Sequence, residues 1–253
     1  TRAKDLGQLL SIDSPVLEAA IPAYLQDDDN QWFAFSQRAR ILFYDKTDVE
    51  NPPLTYEALA NPEYEGKICI RSSSNVYTQN ITAALVAHLG EEAIGGWAEA
   101  VVGNFARDPQ GGDTAQLRGI ASGECDIAMS NTYYYARALR KGDSTMTAED
   151  LENIGWVFPN QNSIGAHMNI SGGGVAANAP NKDNAVKFLE YLASDQAQDY
   201  FSAGNDEYPA VAGVGLAPSV ASLGIFRPDT IDLSDIADII GAAETILNEA
   251  GWQ

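Results

Sequence analysis

Short apolar blocks, some spaced like strands and others with the three-to-four spacing of a helix, divide this chain into alternating elements. Ser14-Pro15 has the order of an N-cap followed by a first-turn proline and predicts a helix to about Leu25. Trp32 to Phe35 and Arg40 to Tyr44 read as strands. Pro52 and Pro53 break the chain, and a short helix follows from Thr55. The run Ile68-Cys69-Ile70 predicts a buried strand, followed by a strongly apolar helix from Asn75 to Leu89 and a second from Glu91 to Val102. Asp113 can cap a helix that runs to Ala121 and is ended by Gly123. A strand from Cys125 to Met129 leads into Asn131-Thr132, another cap, and a helix through Leu139. Further strands are expected at Gly155 to Phe158 and Ala166 to Ile170. The cluster Gly172-Gly173-Gly174 is expected to form a backbone turn or hinge. Helices follow from Lys182 to Ala193 and from Asp195 to Ala203, and Ile236, Ile239, Ile240, Ala243, Ile246 and Leu247 mark a last one over Ser234 to Ala250.

This alternation predicts an α/β architecture. The strands near Arg40 to Tyr44 and Ala166 to Ile170 bracket a block rich in strand–helix–strand units, the wiring of two-lobed proteins that close about a hinge. The expected division is a discontinuous first lobe, 1–44 with 170–253, and a second lobe, 45–169.

Composition narrows the partners. The 253 residues carry 35 acids against 15 bases, a formal charge of −20, and this field repels nucleic acid and anionic membranes. An acidic, solubilising surface accounts for the excess. No run of about eighteen apolar residues occurs, so no spanning helix is predicted. The opening Thr1-Arg2-Ala3-Lys4 has neither an initiator Met nor an apolar leader, which suggests a mature or truncated product. The two cysteines, Cys69 and Cys125, each lie in a strand-like run. They either bridge, closing a long loop, or remain a pair of inert buried thiols.

The candidate chemistry lies in tyrosines. Tyr133, Tyr134 and Tyr135 stand in a row after Asn131-Thr132, and Tyr77 ends Ser72-Ser73-Ser74-Asn75-Val76-Tyr77. Each site follows a cysteine at the same distance: 77 − 69 and 133 − 125 are both 8. If the two strands are parallel neighbours, both sites emerge near their carboxyl ends, where ligands collect in α/β sheets. Hard trivalent iron prefers anionic oxygen, and three phenolates would cancel its charge. Adjacent helical residues diverge, so Tyr133 and Tyr134 can share one ion only at the first turn, where the pattern puts them. Packing is the plainer use of a tyrosine run, and Tyr135 fits it best.

Several motifs carry a resemblance. They are Asn131-Thr132-Tyr133-Tyr134-Tyr135, the serine-rich loop to Tyr77, Gly155-Trp156-Val157-Phe158-Pro159-Asn160-Gln161 and His167-Met168-Asn169-Ile170-Ser171-Gly172, with Arg38-Ala39-Arg40 and Ala179-Pro180-Asn181-Lys182. In this order they resemble the periplasmic ferric-ion-binding proteins of iron ABC transporters, along essentially the whole chain. The resemblance implies a type II periplasmic solute-binding fold with a hinge between the lobes. It implies Fe(III) bound by Tyr133, Tyr134 and, as in one branch, Tyr77, and in some members a synergistic anion such as carbonate. Asn75 and Asn131 flank the ligands and could donate to such an anion. Arg40 is a candidate counter-charge, although an arginine opening a strand is more often a surface anchor. Family members begin with a segment that supplies a His or Tyr ligand from the first lobe. This chain is expected to begin after it, leaving the first lobe incomplete with exposed sheet edges.

The expected function is a non-enzymatic, monomeric periplasmic carrier that delivers Fe(III) to an inner-membrane ABC permease. The alternative is a solute-binding protein of the same fold for an oxyanion or small organic solute. His88 and His167 lack zinc-type spacing, and no hydrolase or phosphate-loop pattern occurs. Asn80-Ile81-Thr82 and Asn169-Ile170-Ser171 match glycosylation acceptors inside expected regular structure. Asp27-Asp28-Asp29 has the wrong spacing for calcium and is expected to be a solvated loop.

Overall fold

The computed structural model describes residues 2–253. Helix α1 (Arg2–Asp5) and strand β1 (Leu9–Leu10) open it. Helix α2 (Pro15–Ala20) starts as expected, with Ser14 Oγ accepting the Leu17 N–H at 3.3 Å and proline in the first turn. It ends at Ala20, short of Leu25. Ile21 precedes Pro22 and is extended at φ −102°, and only a 3₁₀ turn, Ala23–Leu25, follows.

The two strands expected between 32 and 44 are one, β2 (Phe33–Asp45). Its middle is polar but buried, because partners elsewhere satisfy it. The Ser36 hydroxyl bonds Glu207, Gln37 Nε2 donates to the Pro209 carbonyl at 3.1 Å, and Arg38 donates to Ser171 Oγ at 2.7 Å. The helix expected from Thr55 is a 3₁₀ turn, Glu57–Ala60.

Then come β3 (Ile68–Cys69), α3 (Val76–Leu89), α4 (Glu91–Gly103), α5 (Asp113–Ala121), β4 (Ile127–Asn131) and α6 (Thr132–Lys141). Helix α7 (Ala148–Asn153) was not anticipated, although Thr147 and Asp150 form a complete capping box. After β5 (Ile154–Val157), strand β6 (Met168–Gly173) absorbs most of the glycine cluster. These glycines form no turn: they admit close backbone. A Cβ on Gly172 would lie 2.7 Å from the Phe33 carbonyl oxygen, and one on Gly174 would lie 2.3 Å from that of Gln31. The chain finishes through β7 (Val175–Ala176), α8 (Lys182–Leu192), α9 (Asp195–Asn205), β8 (Tyr208–Pro209), α10 (Pro218–Ala221) and α11 (Leu233–Glu249).

Strand β2 serves two sheets. Its first half pairs antiparallel with β6 and β8, and from Arg40 onward it pairs antiparallel with β4 and β5. Strand β3 lies parallel to β4, with Ile68 beside Ile127. At the crossing the Arg40 N–H donates to the His167 carbonyl at 2.9 Å. The buried Tyr56 hydroxyl donates to the Arg40 carbonyl at 2.5 Å and accepts the His167 N–H at 2.9 Å.

One core gathers Phe33, Phe35, Leu17, Val175 and Leu189; two others fill the faces of the β3-β4-β2-β5 sheet. The end of the chain departs from the expected 170–253 assignment. Helix α11 packs on α3 and α4, and Ile246, Leu247 and Trp252 join Tyr56, Leu85 and Trp97 in a core of the 45–169 block. Sequence periodicity identifies a helix's apolar face but not the surface it meets.

Cys69 and Cys125 form a disulfide across 56 residues. Helix α5 presses on it at Gly119, where a Cβ would lie 2.9 Å from each sulfur. In the chain-entropy model a bridge of this span contributes about 4 kcal/mol. Cys69→Ser with Cys125→Ser is therefore expected to lower urea-unfolding stability by up to about 4 kcal/mol, and reductant is expected to shift the wild type, but not the double variant, by a similar amount.

His167 is buried and its pKa is pushed down to about 3, first by burial, then by the charges of Arg40 and His88. The unfolded chain therefore takes up a proton that the folded one refuses. The stability His167 contributes is present above its unfolded value of 6.5 and is lost as pH falls toward 3. Urea titrations at pH 7 and pH 4 should show wild type losing more stability than His167→Gln; equal losses would show that this imidazole is not the group being strained.

Candidate metal centre

Strands β3 and β4 run side by side in the same direction, so the elements that follow them leave the sheet at one edge. Helix α3 begins there, its first turn capped by Asn75 Oδ1 accepting the Tyr77 N–H at 3.0 Å. Helix α6 begins beside it, with Tyr133 and Tyr134 in its first turn. The disulfide binds the two approaches together, although the register sets Cys69 beside Ala128 and Cys125 lies just before β4, so the equal spacing from each cysteine does not follow from the strand pairing.

The tyrosines converge. Tyr77 and Tyr133 place their hydroxyl oxygens 3.5 Å apart, and the rings of Tyr133 and Tyr134 lie 4.0 Å apart at 33°. Tyr135 turns away into the core, donating to the Leu151 carbonyl at 2.7 Å and packing on Phe43 and Trp156. Burial pushes its phenol up to about 12. The Tyr133 phenol is raised well above the ordinary phenol range, first by burial and then by its hydrogen bonding with Tyr134 and Tyr77. It is a protonated group that a cation must deprotonate in order to bind.

Arginines surround the cluster in a chain that is strongly acidic overall. The guanidinium carbons of Arg38, Arg40 and Arg71 lie 5.5, 5.7 and 5.5 Å from the Tyr77 ring centre, and that of Arg137 lies 5.1 Å from the Tyr133 ring. Arg40 is no surface anchor: it is fully buried in mid-strand, 2.6 Å from Asp113 Oδ2. Asp113 is not the cap of α5 either. Gly112 holds that position, and the Asp113 carboxylate is buried among Arg40, Arg71 and the Asn131 N–H.

Asn131 is buried at the head of α6. Its Oδ1 lies 3.5 Å from Arg40 Nη1, and its Nδ2 has no partner within the protein. Arg40 Nε and Nη2 also lack partners. The oxygen of Asn75 is already used in capping. A cavity of about 400 Å³, lined by Trp32, Arg38, Asn80, His167 and Asn169, reaches Tyr77 from the β6 side.

Sequence reading missed Arg71, Arg137 and the role of Asp113. For Arg38 a signal existed: with Arg40 at i, i+2, it shares one face of a strand. Among the described residues, no group of three or more His, Cys, Asp or Glu is placed to hold a metal. In the Asp27 run, Asp28 and Asp29 are exposed in a turn, as expected of a solvated loop, but Asp27 is not. Asp27 is buried, accepting from Lys4 Nζ at 2.7 Å and from the Asp29 and Gln31 N–H groups.

Comparison with known proteins agrees with this architecture. The chain is 46% identical over 253 residues to iron uptake protein A1 of Synechocystis sp., covering 100% of this chain and 70% of that one. A Trichodesmium protein (IdiA, FutA), solved in complex with iron and citrate ligands, superposes with a TM-score of 0.93 at 46% identity over 100% of this chain and 80% of that one. The ferric binding protein from Campylobacter jejuni gives 0.91 at 37% identity, over 100% and 80%. These establish the two-lobed type II solute-binding fold, and the family model for bacterial extracellular solute-binding proteins matches residues 1–222. The chain belongs to that family.

Proposed function

We propose that this chain binds Fe(III) through the phenolate oxygens of Tyr77, Tyr133 and Tyr134. In this reading it acts as a non-enzymatic periplasmic carrier, a monomer, that hands the ion to an inner-membrane ABC permease. The observation that carries the reading is the meeting of three phenol side chains from two helix starts, with the Tyr77 and Tyr133 oxygens 3.5 Å apart. Relatives named for ferric or iron uptake support it. So does the chemistry: three phenolates neutralise a trivalent cation, and oxygen donors suit a hard one. Arginines against the Tyr77 ring give a charged phenolate a nearby counter-charge.

A second reading, an oxyanion bound with the metal or in its place, is favoured by one observation. Arg40 Nε and Nη2 and Asn131 Nδ2 are buried donors with no protein partner. A carbonate-like anion would satisfy them, with Arg40 as its counter-charge.

Adding ferric citrate is expected to produce the red or orange phenolate-to-iron charge-transfer band. Tyr133→Phe and Tyr134→Phe should each weaken binding by more than about a hundredfold, beyond the ten- to hundredfold typical of losing a partner outside the ligand set. Tyr77→Phe should weaken it and shift the band, and Tyr135→Phe should leave the band in place. A tinted, tight-binding Tyr133→Phe would end the assignment. Because Tyr133 starts protonated and its pKa is raised, affinity should fall as pH falls. Potentiometric titration should find about three protons released per iron, and release of none would favour the oxyanion reading.

A further inference from the structure

Asp113 is a buried carboxylate that the binding chemistry does not itself require, and it joins three segments that surround the tyrosine cluster. Its Oδ2 accepts from Arg40 Nη1 at 2.6 Å and from the Asn131 N–H at 2.8 Å; its Oδ1 accepts from Arg71 Nη1 at 3.1 Å. Arg40 belongs to the strand shared by both sheets, Arg71 to the loop between β3 and α3, and Asn131 caps the helix bearing Tyr133 and Tyr134. Both arginines then lie against the Tyr77 ring. The side chains of Arg40 and Asp113 are wholly excluded from solvent, so neither charge can find water as a substitute partner.

We infer that Asp113 is the positioning residue of the tyrosine cluster: through Arg40, Arg71 and the Asn131 amide it sets where Tyr77 stands relative to the Tyr133–Tyr134 pair. It touches no ion itself. Three donors from separate segments meet on one carboxylate, so a change at Asp113 reaches Tyr77 through the arginines and α6 through its first amide. No other carboxylate bonds either arginine among the described residues. This inference rests on the tyrosine-binding reading above.

The test uses Asp113→Asn, which keeps an acceptor for the Asn131 N–H but removes the charge, together with Tyr77→Phe and the double variant. Fe(III) affinity is read by competition with citrate, and the charge-transfer band by absorbance. Asp113→Asn should weaken binding by about tenfold or more and move the band toward that of Tyr77→Phe. In the Tyr77→Phe background the same substitution should add less than about twofold, because its effect runs through that side chain. An equal loss in both backgrounds, or wild-type affinity and band in folded Asp113→Asn, overturns the inference. Should Asp113→Asn fail to fold, Arg71→Gln carries the test, since it leaves the Asp113–Arg40 pair intact. It should weaken binding by about threefold or more only when Tyr77 is present, and wild-type binding by Arg71→Gln overturns the inference. Tyr133→Phe separates the two levels. If it loses iron while the Asp113 and Arg71 variants behave as wild type, this inference alone fails; if it binds as wild type, the tyrosine reading fails as well.

Discussion

The structure depends on one strand being long enough to belong to two sheets. Strand β2 gives its first half to β6 and β8 and its second half to β4 and β5, so both sheets hang on one continuous strand. Its alternation then decides what stands at the crossing. Ala39, Ile41 and Phe43 face one core, and Leu42 faces the other. Arg40 and Arg38 share the face of Leu42, one and two repeats earlier, where that core gives way to the tyrosine cluster. A strand of apolar residues alone would carry no charge to this point. The buried arginines are tolerated because Asp113 and Ser171 receive them.

The cluster combines opposing demands. A phenol ionises more readily in water, yet Tyr133 is buried and its pKa is raised. Burial would keep competing water away from an ion held there and strengthens every charge interaction within the cluster. The compensating positive charge comes from arginines, whose charge survives burial. An overall charge of −20 favours cation approach at long range, while local arginines face the rings. The two scales do not conflict, because the Debye length at physiological salt, about 8 Å, separates them.

Much was legible in the chain, because much of it is local. Ser14 with Pro15, and Asn75, mark helix starts by short-range chemistry; the matching offsets from Cys69 and Cys125 point to the right pair of neighbouring strands, although the register sets Cys69 beside Ala128 and not beside Cys125. The adjacency of Tyr133 and Tyr134, and the inward turn of Tyr135, also follow from first-turn geometry.

What the residues alone could not decide is every relation that depends on a distant partner. Ser36 to Ala39 look like a break between two strands, because their buried polarity is satisfied by Glu207, Pro209 and Ser171, all far along the chain. Asp113 looks like a cap, because nothing nearby announces Arg40 and Arg71. Helix α11 shows its apolar face in sequence but not that the face meets α3 and α4. Local chemistry determines where elements begin and which side is apolar. Only the folded chain determines which charges share one carboxylate, because that requires segments tens of residues apart to be brought together and closed off from water.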